Sequence, residues 1–289
     1  MTRLAVLADL HGNLTALEAV LADLARFAVD HVVVAGDVIN WGPHSAAVLA
    51  RVVASGWAVI RGNNEFYLLD YQTPRMPAAW SEYALLPWLR RQIDGRGRAV
   101  VAAWPDTLSL RFPDGPPLRV VHGTPRHNAE PIYPDSPEAE IGHQLEGVAE
   151  PVVIAAHTHL PMDRRVGRWR VLNPGSVGVP LDGAPGGVHR AAYLLLESAG
   201  DDWRATFRRV PFDVRPVLAE FERQGFLDEC GVTAELVLEE FRRARLRIHP
   251  FLRWRQARHP GAPLTSALLA EFARIDPWEY IPSAYHVNR

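Results

Sequence analysis

Residues 4–13 read LAVLADLHGN, an apolar run that gives way to a polar turn. A continuous apolar run of this kind is typical of a strand that is buried on both faces. Leucines then recur at helical spacing over residues 14–24, and Asn13 is placed to cap that helix. The succession of strand and helix repeats over residues 31–60. This alternation favours an α/β fold with a largely parallel, covered sheet, in which ligands bind at the carboxyl ends of the strands.

The composition excludes several chemistries. The chain has 289 residues, 48% of them hydrophobic, and a formal net charge of −2, which provides no bulk attraction to nucleic acid or acidic membranes. Its single cysteine, Cys230, rules out an internal disulfide and a cysteine-cluster metal site. All 31 residues counted as lysine or arginine are arginine. Schiff-base chemistry and a lysine-based phosphate loop are therefore excluded.

The remaining pattern divides the chain into two parts. Residues 65–104 are helical in character and rich in aromatic residues, and we expect them to form a helical cap insertion. Further strands are indicated over residues 108–112, 118–121, 152–156, 169–172, 190–197 and 203–210. From residue 211 the sequence is dense in charged residues and helix formers. We therefore predict a first domain over residues 1–210 and a helical C-terminal extension over residues 211–289.

The N-terminal residues do not resemble a targeting segment. Only Arg3 precedes an apolar run that Asp9 soon interrupts, which is too short for a signal peptide. No stretch approaches the roughly 20 apolar residues of a membrane helix. We expect a soluble, cytoplasmic protein without a membrane partner.

Seven residues of metal-binding type end the predicted strands. They are Asp9, His11, Asp37, Asn63, His122, His157 and His159. Carboxylate, imidazole and amide oxygen suit divalent manganese, iron, cobalt, nickel or zinc. One such histidine alone would be interpreted as a hydrogen-bonded loop residue, but seven residues at successive strand ends favour a metal site.

The order of these residues resembles a known family. The blocks are Asp9-x-His11, Gly36-Asp37-(x)4-Gly42-Pro43, Gly62-Asn63-Asn64-Glu65, Val121-His122-Gly123, Ala156-His157-Thr158-His159 and Asn173-Pro174-Gly175-Ser176-Val177-Gly178. The first five resemble the calcineurin-like metallophosphoesterase superfamily, and the last resembles its compact YfcE-type phosphodiesterase branch. The resemblance covers residues 1–210. It implies a metallophosphoesterase catalytic domain built as a two-sheet β-sandwich flanked by helices, whereas the strand–helix alternation by itself supports only one covered sheet.

The resemblance also implies two metal ions. The ligands implied for the first ion are Asp9, His11 and His159. Those implied for the second ion are Asn63, His122 and His157. Asp37 would bridge both ions, and a metal-bound hydroxide would be the nucleophile. We expect manganese, with iron, nickel, cobalt and zinc as alternatives, and hydrolysis of a phosphoester with Asp37 and Asn64 as the catalytic residues.

Position 64 departs from the family pattern. Most members of the family have a histidine where this chain has Asn64, and the resemblance implies that this histidine contacts the phosphate and protonates the leaving group. Several members of the compact branch also lack it and are associated with phosphodiesters. Asn64 can donate a hydrogen bond to the substrate phosphate, but it does not titrate near neutral pH. We therefore predict a phosphodiesterase. A phosphomonoesterase or nucleotide phosphatase of the same fold is one alternative, and a non-catalytic metal-binding interaction module is another.

Two further residues and one segment are candidates for contact with the substrate or with nucleic acid. Arg126 is a candidate for binding the substrate phosphate, with a surface role as the alternative. Trp41 is a candidate for stacking on a base, with packing of its own loop as the alternative. Residues 242–258 hold seven arginines and no acidic residue, interleaved with Phe251 and Trp254. This pattern fits nucleic-acid contact or an ordinary helix or dimer surface. The expected substrate is a small phosphodiester or nucleotide, and a homo-oligomer stays open.

Overall fold

The computed structural model describes residues 1–288, with side chains described through His286. Within this range the chain forms ten strands and ten α-helices. The strands are β1 (Arg3–Leu7), β2 (His31–Val34), β3 (Ala58–Val59), β4 (Leu108–Phe112), β5 (Gly115–Val121), β6 (Val152–Ala155), β7 (Met162–Val166), β8 (Trp169–Asn173), β9 (His189–Ala199) and β10 (Asp202–Phe212).

The helices occupy the segments between the strands and the C-terminal part of the chain. They are α1 (Leu14–Leu24), α2 (Ser45–Ser55), α3 (Asn63–Asp70), α4 (Leu85–Gln92), α5 (Gly95–Ala103), α6 (Glu138–Gln144), α7 (Arg215–Arg223), α8 (Phe226–Arg243), α9 (Ile248–Arg258) and α10 (Ser266–Phe272). No helix in residues 1–288 is both long enough and apolar enough to cross a membrane.

The strands form two five-stranded sheets, as the family resemblance implied. One sheet has the order β10-β9-β1-β2-β3, and the other has the order β4-β5-β6-β8-β7. The strands β1, β2 and β3 are parallel, as are β5, β6 and β8, while the remaining pairs are antiparallel. The predicted two-sheet sandwich flanked by helices is therefore confirmed.

The apolar run of β1 is continuous because both of its faces are covered. Leu4 and Val6 pack between the two sheets, in one cluster with residues of the second sheet. Ala5 and Leu7 point the other way and pack against the helices α1 and α2. On the outer face of the second sheet, Ile141 of α6 contributes to a separate cluster. Each strand at the centre of a sheet thus contributes to two apolar layers.

The strand β7 was not predicted. Its central residues Asp163, Arg164 and Arg165 are charged, so the segment lacks the apolar pattern of a buried strand. It lies at the edge of its sheet and pairs only with β8, where charged side chains can reach solvent. Asp163 also forms an ion pair at 2.6 Å with Arg170 of β8.

The extension packs against the insertion that was predicted over residues 65–104. That insertion forms α3, α4 and α5 with an irregular segment and a short 3-10 helix before α4. The ring of Phe226 in α8 lies 4.6 Å from that of Trp88 in α4, and Phe221 of α7 is fully buried beside them. The helical character predicted beyond residue 210 is confirmed, although β10 continues to Phe212 before the helices begin.

Candidate metal centre

The predicted ligands lie together at one edge of the two sheets. Asp9 follows β1 and Asp37 follows β2, and these two strands are parallel neighbours. Asn63 begins α3, shortly after β3. In the second sheet the parallel strands β5 and β6 end just before His122 and His157. Because the carboxyl ends of parallel strands lie at the same edge of a sheet, the fold brings these side chains to one site.

The first group of ligands is formed by Asp9, His11 and His159. One ligand atom from each lies within 4.8 Å of the others. The Nε2 atoms of His11 and His159 are 3.1 Å apart, and the Nε2 of His159 is 3.3 Å from the Oδ1 of Asp9. The Nδ1 of His159 is 2.7 Å from the carbonyl oxygen of Val179. A bond of this kind fixes the ring so that Nε2 faces the ligand group.

The second group is formed by Asp37, His122 and His157. The Nε2 of His122 is 3.2 Å from the Oδ2 of Asp37 and 3.1 Å from the Oδ1 of Asn63. The structure therefore places the amide oxygen of Asn63 at this group as well. The Nδ1 of His122 is 2.8 Å from the carbonyl oxygen of Ala35, which again leaves Nε2 for the ligand group.

Asp37 lies between the two groups. Its Oδ2 atom is 3.2 Å from the Nε2 of His122 in one group and 3.7 Å from the Nε2 of His11 in the other. A single carboxylate within reach of histidines from both groups has the position that a bridging ligand requires. The two groups therefore form one continuous centre.

The residues of the centre fit divalent cations. Neither carboxylate oxygen of Asp9 makes a hydrogen bond with a described residue, although Asp9 is fully buried. The Nδ1 of His11 is also buried without such a partner. A buried carboxylate without full compensation is destabilising; His159 at 3.3 Å supplies part of it, and a bound cation would supply the rest. The set of carboxylates, imidazoles and one amide oxygen suits first-row divalent metals.

The backbone at the ligands is strained. Five of them have positive φ values, between 46° and 65°, and these are Asp9, His11, Asp37, His157 and His159. Each left-handed residue other than glycine costs about 1–2 kcal/mol. Strain of this kind persists where the surroundings hold the backbone, and it concentrates at functional sites. Here the N–H of His11 donates to the carbonyl oxygen of Asp37 at 2.9 Å, which ties two strained turns together.

Glu65 holds the loop that carries Asp37. Its Oε2 accepts hydrogen bonds from the N–H groups of Asp37 at 2.9 Å and Gly62 at 2.6 Å. Its Oε1 accepts from the N–H groups of Val38 at 2.9 Å and Ile39 at 3.3 Å. Glu65 belongs to the third sequence block, but no role was predicted for it. The spacing of Gly62 and Glu65 is the capping-box spacing, which could have indicated one.

The charges of the centre shift the pKa values of its histidines in opposite directions. Burial disfavours the imidazolium form of His122, but the carboxylates of Asp37 and Asp9 outweigh burial and raise its pKa to about 10. Burial dominates at His11 and His157, lowering the pKa of the first to about 4 and that of the second to about 3, whereas the charge of Asp9 outweighs burial at His159 and raises its pKa. Metal ligation requires the neutral imidazole, which is the form that His11 and His157 already have at neutral pH.

Asn64 orients Asp37. Its Nδ2 donates to the Oδ2 of Asp37 at 2.5 Å, and its backbone N–H donates to the Oδ1 of Asp37 at 2.8 Å. The Oδ1 of Asn64 accepts from the Nδ2 of Asn40 at 2.5 Å. One N–H of the amide is left for another acceptor. The predicted contact between Asn64 and a substrate phosphate stays a prediction.

Trp41 and Arg126 already have partners. The indole of Trp41 stacks on the imidazole of His11, with ring centroids 4.7 Å apart, and it also packs against the apolar cluster that includes the core of the extension. Arg126 contacts the Oε1 of Glu130 at 2.9 Å and the Nε2 of His143 at 3.0 Å. It lines a groove beside the centre rather than the cavity over the ligands. Substrate contact by either residue stays a prediction.

A cavity of about 200 Å³ adjoins the ligands of both groups. Several of its lining residues were not predicted from the sequence, and these are Tyr67, Tyr133, Leu246, His249 and Tyr285. Three of these come from the C-terminal extension. The hydroxyl of Tyr285 donates at 2.7 Å to the carbonyl oxygen of Thr158, between His157 and His159. No motif marks the three residues of the extension, because they reach the site through packing between segments far apart in sequence.

The structure of the arginine-rich segment 242–258 bears on the interpretation that it contacts nucleic acid. Phe251 and Trp254 are 0% and 2% exposed, within the core of the extension, so their rings are not available to stack on nucleic-acid bases. Arg242 and Arg243 both pair with Glu239. Contact between the remaining arginines and a nucleic-acid backbone stays a prediction.

Fold and centre together define a class of protein, in which two packed sheets present carboxylates, histidines and an amide at their strand ends. A family model described as the calcineurin-like phosphoesterase superfamily domain matches residues 2–197. The chain belongs to this superfamily, as the sequence blocks indicated. Membership supports a hydrolase that acts on phosphoesters.

Individual proteins are also similar to this chain. An uncharacterized protein of Methanocaldococcus jannaschii, MJ0912, is 21% identical over 229 residues, which are 73% of this chain and 88% of that protein. A metallophosphoesterase structure from Sphaerobacter thermophilus is 24% identical, with a TM-score of 0.66 over 83% of this chain and 99% of that one. The structure of the hypothetical protein PH1004 from Pyrococcus horikoshii is 20% identical, with a TM-score of 0.69 over 85% of this chain and 100% of that one. At these identities the two structures show the shared fold.

Proposed function

We propose that this protein is a phosphodiesterase that depends on two divalent ions, with manganese as the ion to test first. The observation that carries the proposal is the position of Asp37, whose Oδ2 lies within 3.7 Å of a histidine from each ligand group. When bound, two adjacent ions supply an activated water and neutralise charge on the phosphoryl group. Asp9, His11 and His159 would hold one ion, and Asn63, His122 and His157 the other.

The protein's own residues set the geometry for this chemistry. Asp37 would join the two ion sites, and Asn64 and Glu65 fix its carboxylate and its backbone. The cavity of about 200 Å³ is smaller than the roughly 300–1,000 Å³ of pockets that enclose a whole small ligand. It therefore suits the phosphoryl group, with the rest of the substrate lying outside.

The surroundings of this cavity support a diester over a monoester. On one side it shares Asn63, Tyr67 and Ala129 with a groove of about 540 Å³. It shares a different set, Leu181, Leu246 and Tyr285, with a second depression of about 170 Å³. A phosphodiester carries two substituents on phosphorus, and a phosphoryl group in the cavity would have a separate depression for each.

The test is to measure hydrolysis of bis-p-nitrophenyl phosphate and p-nitrophenyl phosphate in parallel, with manganese added back after chelation. We expect manganese-dependent cleavage, faster for the diester. Asp37→Ala should bind fewer than about two ions per chain and lose the activity. Asp201→Ala, which alters an exposed aspartate away from the centre, is the matched control.

The other outcomes separate the alternatives. Faster cleavage of the monoester would favour a phosphomonoesterase or nucleotide phosphatase. Two bound ions without cleavage of either compound, or of cyclic and nucleic-acid diesters, would favour an interaction module. Retention of both ions by Asp37→Ala would show that the bridging ligand is assigned wrongly. The cytoplasmic location and the homo-oligomer stay predictions of the sequence.

A further inference from the structure

The C-terminal extension places a histidine in the cavity at the metal centre. His249 lines that cavity together with His11, Asp37, His157 and His159. Its side chain is exposed, while Ile248 and Pro250 on either side of it in the chain are buried. The extension lies outside the span matched by the family model.

The position of His249 is held by buried contacts. The carboxylate of Glu240 is fully buried, and its Oε1 accepts from the N–H groups of Arg247 at 2.6 Å and Ile248 at 2.9 Å. These bonds fix the point at which α9 begins. One turn further along, Phe251 and Trp254 anchor the helix in the core of the extension. The imidazole of His249 is therefore presented to the cavity by a rigid helix rather than by a free loop.

The side chain of His249 lacks the hydrogen bond that is typical of a metal-ligating histidine. A ligating histidine ordinarily uses its second ring nitrogen to bond a carbonyl or carboxylate, as His122 and His159 do. Neither ring nitrogen of His249 makes a hydrogen bond with a described residue. His249 also lies within electrostatic range of His157 and His159, one histidine from each ligand group. Both of its nitrogens are therefore available to a molecule bound at the centre.

The hydrogen bonds of Asn64 leave room for another residue to contact the phosphoryl group. The amide of Asn64 is bonded to Asp37 and to Asn40, so its main role in the structure is to orient a ligand. A phosphoryl group in the cavity would meet only one remaining N–H from this side chain.

We propose that His249 is a substrate-contacting residue, which donates a hydrogen bond from its imidazole to an oxygen of the phosphoryl group of the bound ester. This inference rests on the proposed phosphoesterase function. In this arrangement the extension completes the active site from a part of the chain about 90 residues beyond His159, because the residue at position 64 is committed to Asp37.

The experiment compares His249→Ala, His249→Asn and His249→Gln with the wild-type protein, all loaded with manganese. For His249→Ala we expect kcat/KM for bis-p-nitrophenyl phosphate to fall about 100-fold, the loss seen when one preorganised donor is removed. Inhibition by inorganic phosphate should weaken in parallel, while two ions stay bound. At least one of the two amide variants, which keep an N–H donor, should recover much of the loss. Gln256→Ala, on the exposed surface of the same helix, should behave as wild type.

Other results would overturn the inference. Rates and phosphate inhibition within twofold of wild type for His249→Ala would show that the imidazole does not touch the substrate. Loss of bound metal in that variant would show a structural or ligand role instead. If the wild-type protein cleaves no phosphoester, the proposed function fails separately. In that case, calorimetric binding of inorganic phosphate to the manganese-loaded protein tests whether His249 contacts the phosphoryl group. Equal affinities for wild type and His249→Ala would exclude the contact.

Discussion

Replacing Glu65 by glutamine tests whether its carboxylate holds the metal centre together. Each carboxylate oxygen accepts two backbone N–H groups. Whichever way the amide of Glu65→Gln is oriented, its NH2 group faces two of these donors and leaves them unpaired. A buried donor without a partner costs about 1–3 kcal/mol, so the variant should lose about 2–6 kcal/mol of its free energy of unfolding. That is a large part of the about 5–15 kcal/mol that a typical protein has.

The assay is urea denaturation of the ion-free protein at pH 8. Burial and the charge of Asp37 raise the pKa of Glu65 to about 7, and pH 8 keeps the carboxylate ionised in the wild-type protein. Manganese affinity is the second readout, and we expect it to fall about 10- to 100-fold, as is usual when the support of a ligand is removed. Glu222→Gln, at an exposed position, should stay within about 0.5 kcal/mol of wild type. A loss below about 1 kcal/mol for Glu65→Gln, with unchanged manganese affinity, would refute this reasoning.

Two further predictions concern single side chains. Asn64→His should raise hydrolysis of p-nitrophenyl phosphate more than that of bis-p-nitrophenyl phosphate, because it restores a titratable group near the leaving group. An equal change in both rates would contradict this account of position 64. Burial raises the pKa of Glu240 to about 7 from an ordinary 4.5, so the folded protein binds this proton more tightly than the unfolded chain does, and its stability falls as the pH rises from about 4.5 to 7. Between pH 4.5 and pH 8, the free energy of unfolding of Glu240→Gln should therefore fall by about 3 kcal/mol less than that of the wild-type protein. Equal falls in urea titrations of both ion-free proteins would refute the assignment.

The sequence predicted the parts of the site that depend on local pattern. Asp9 and Asp37 each end a continuous apolar run, so the strand that positions each residue could be recognised from its immediate neighbours. The division of the strands into two sheets required the family resemblance. The edge strand β7 was missed because it carries Asp163 and Arg164 in place of an apolar pattern.

Other features of the site depend on packing between distant segments. The positive φ values of Asp9, His11 and Asp37 occur in loops that follow different strands and are joined by backbone hydrogen bonds. His249 reaches the cavity only because α9 packs into the extension, and the burial of Phe251 and Trp254 has the same origin. The same alternation of arginine and aromatic residues occurs on a half-buried helix and on a helix that is open to a nucleic acid. The pattern therefore does not distinguish the two.

The late position of Tyr285 has a consequence for protein synthesis. All seven predicted metal ligands have been polymerised once His159 is in the chain, but Tyr285, which bonds the carbonyl of Thr158, follows 126 positions later. At about 5–20 residues per second, the ribosome needs roughly 6–25 s to add that stretch. The ligands are thus available to cations in the nascent chain before the segment that encloses them exists. We therefore expect metal uptake to precede the closure of the cavity.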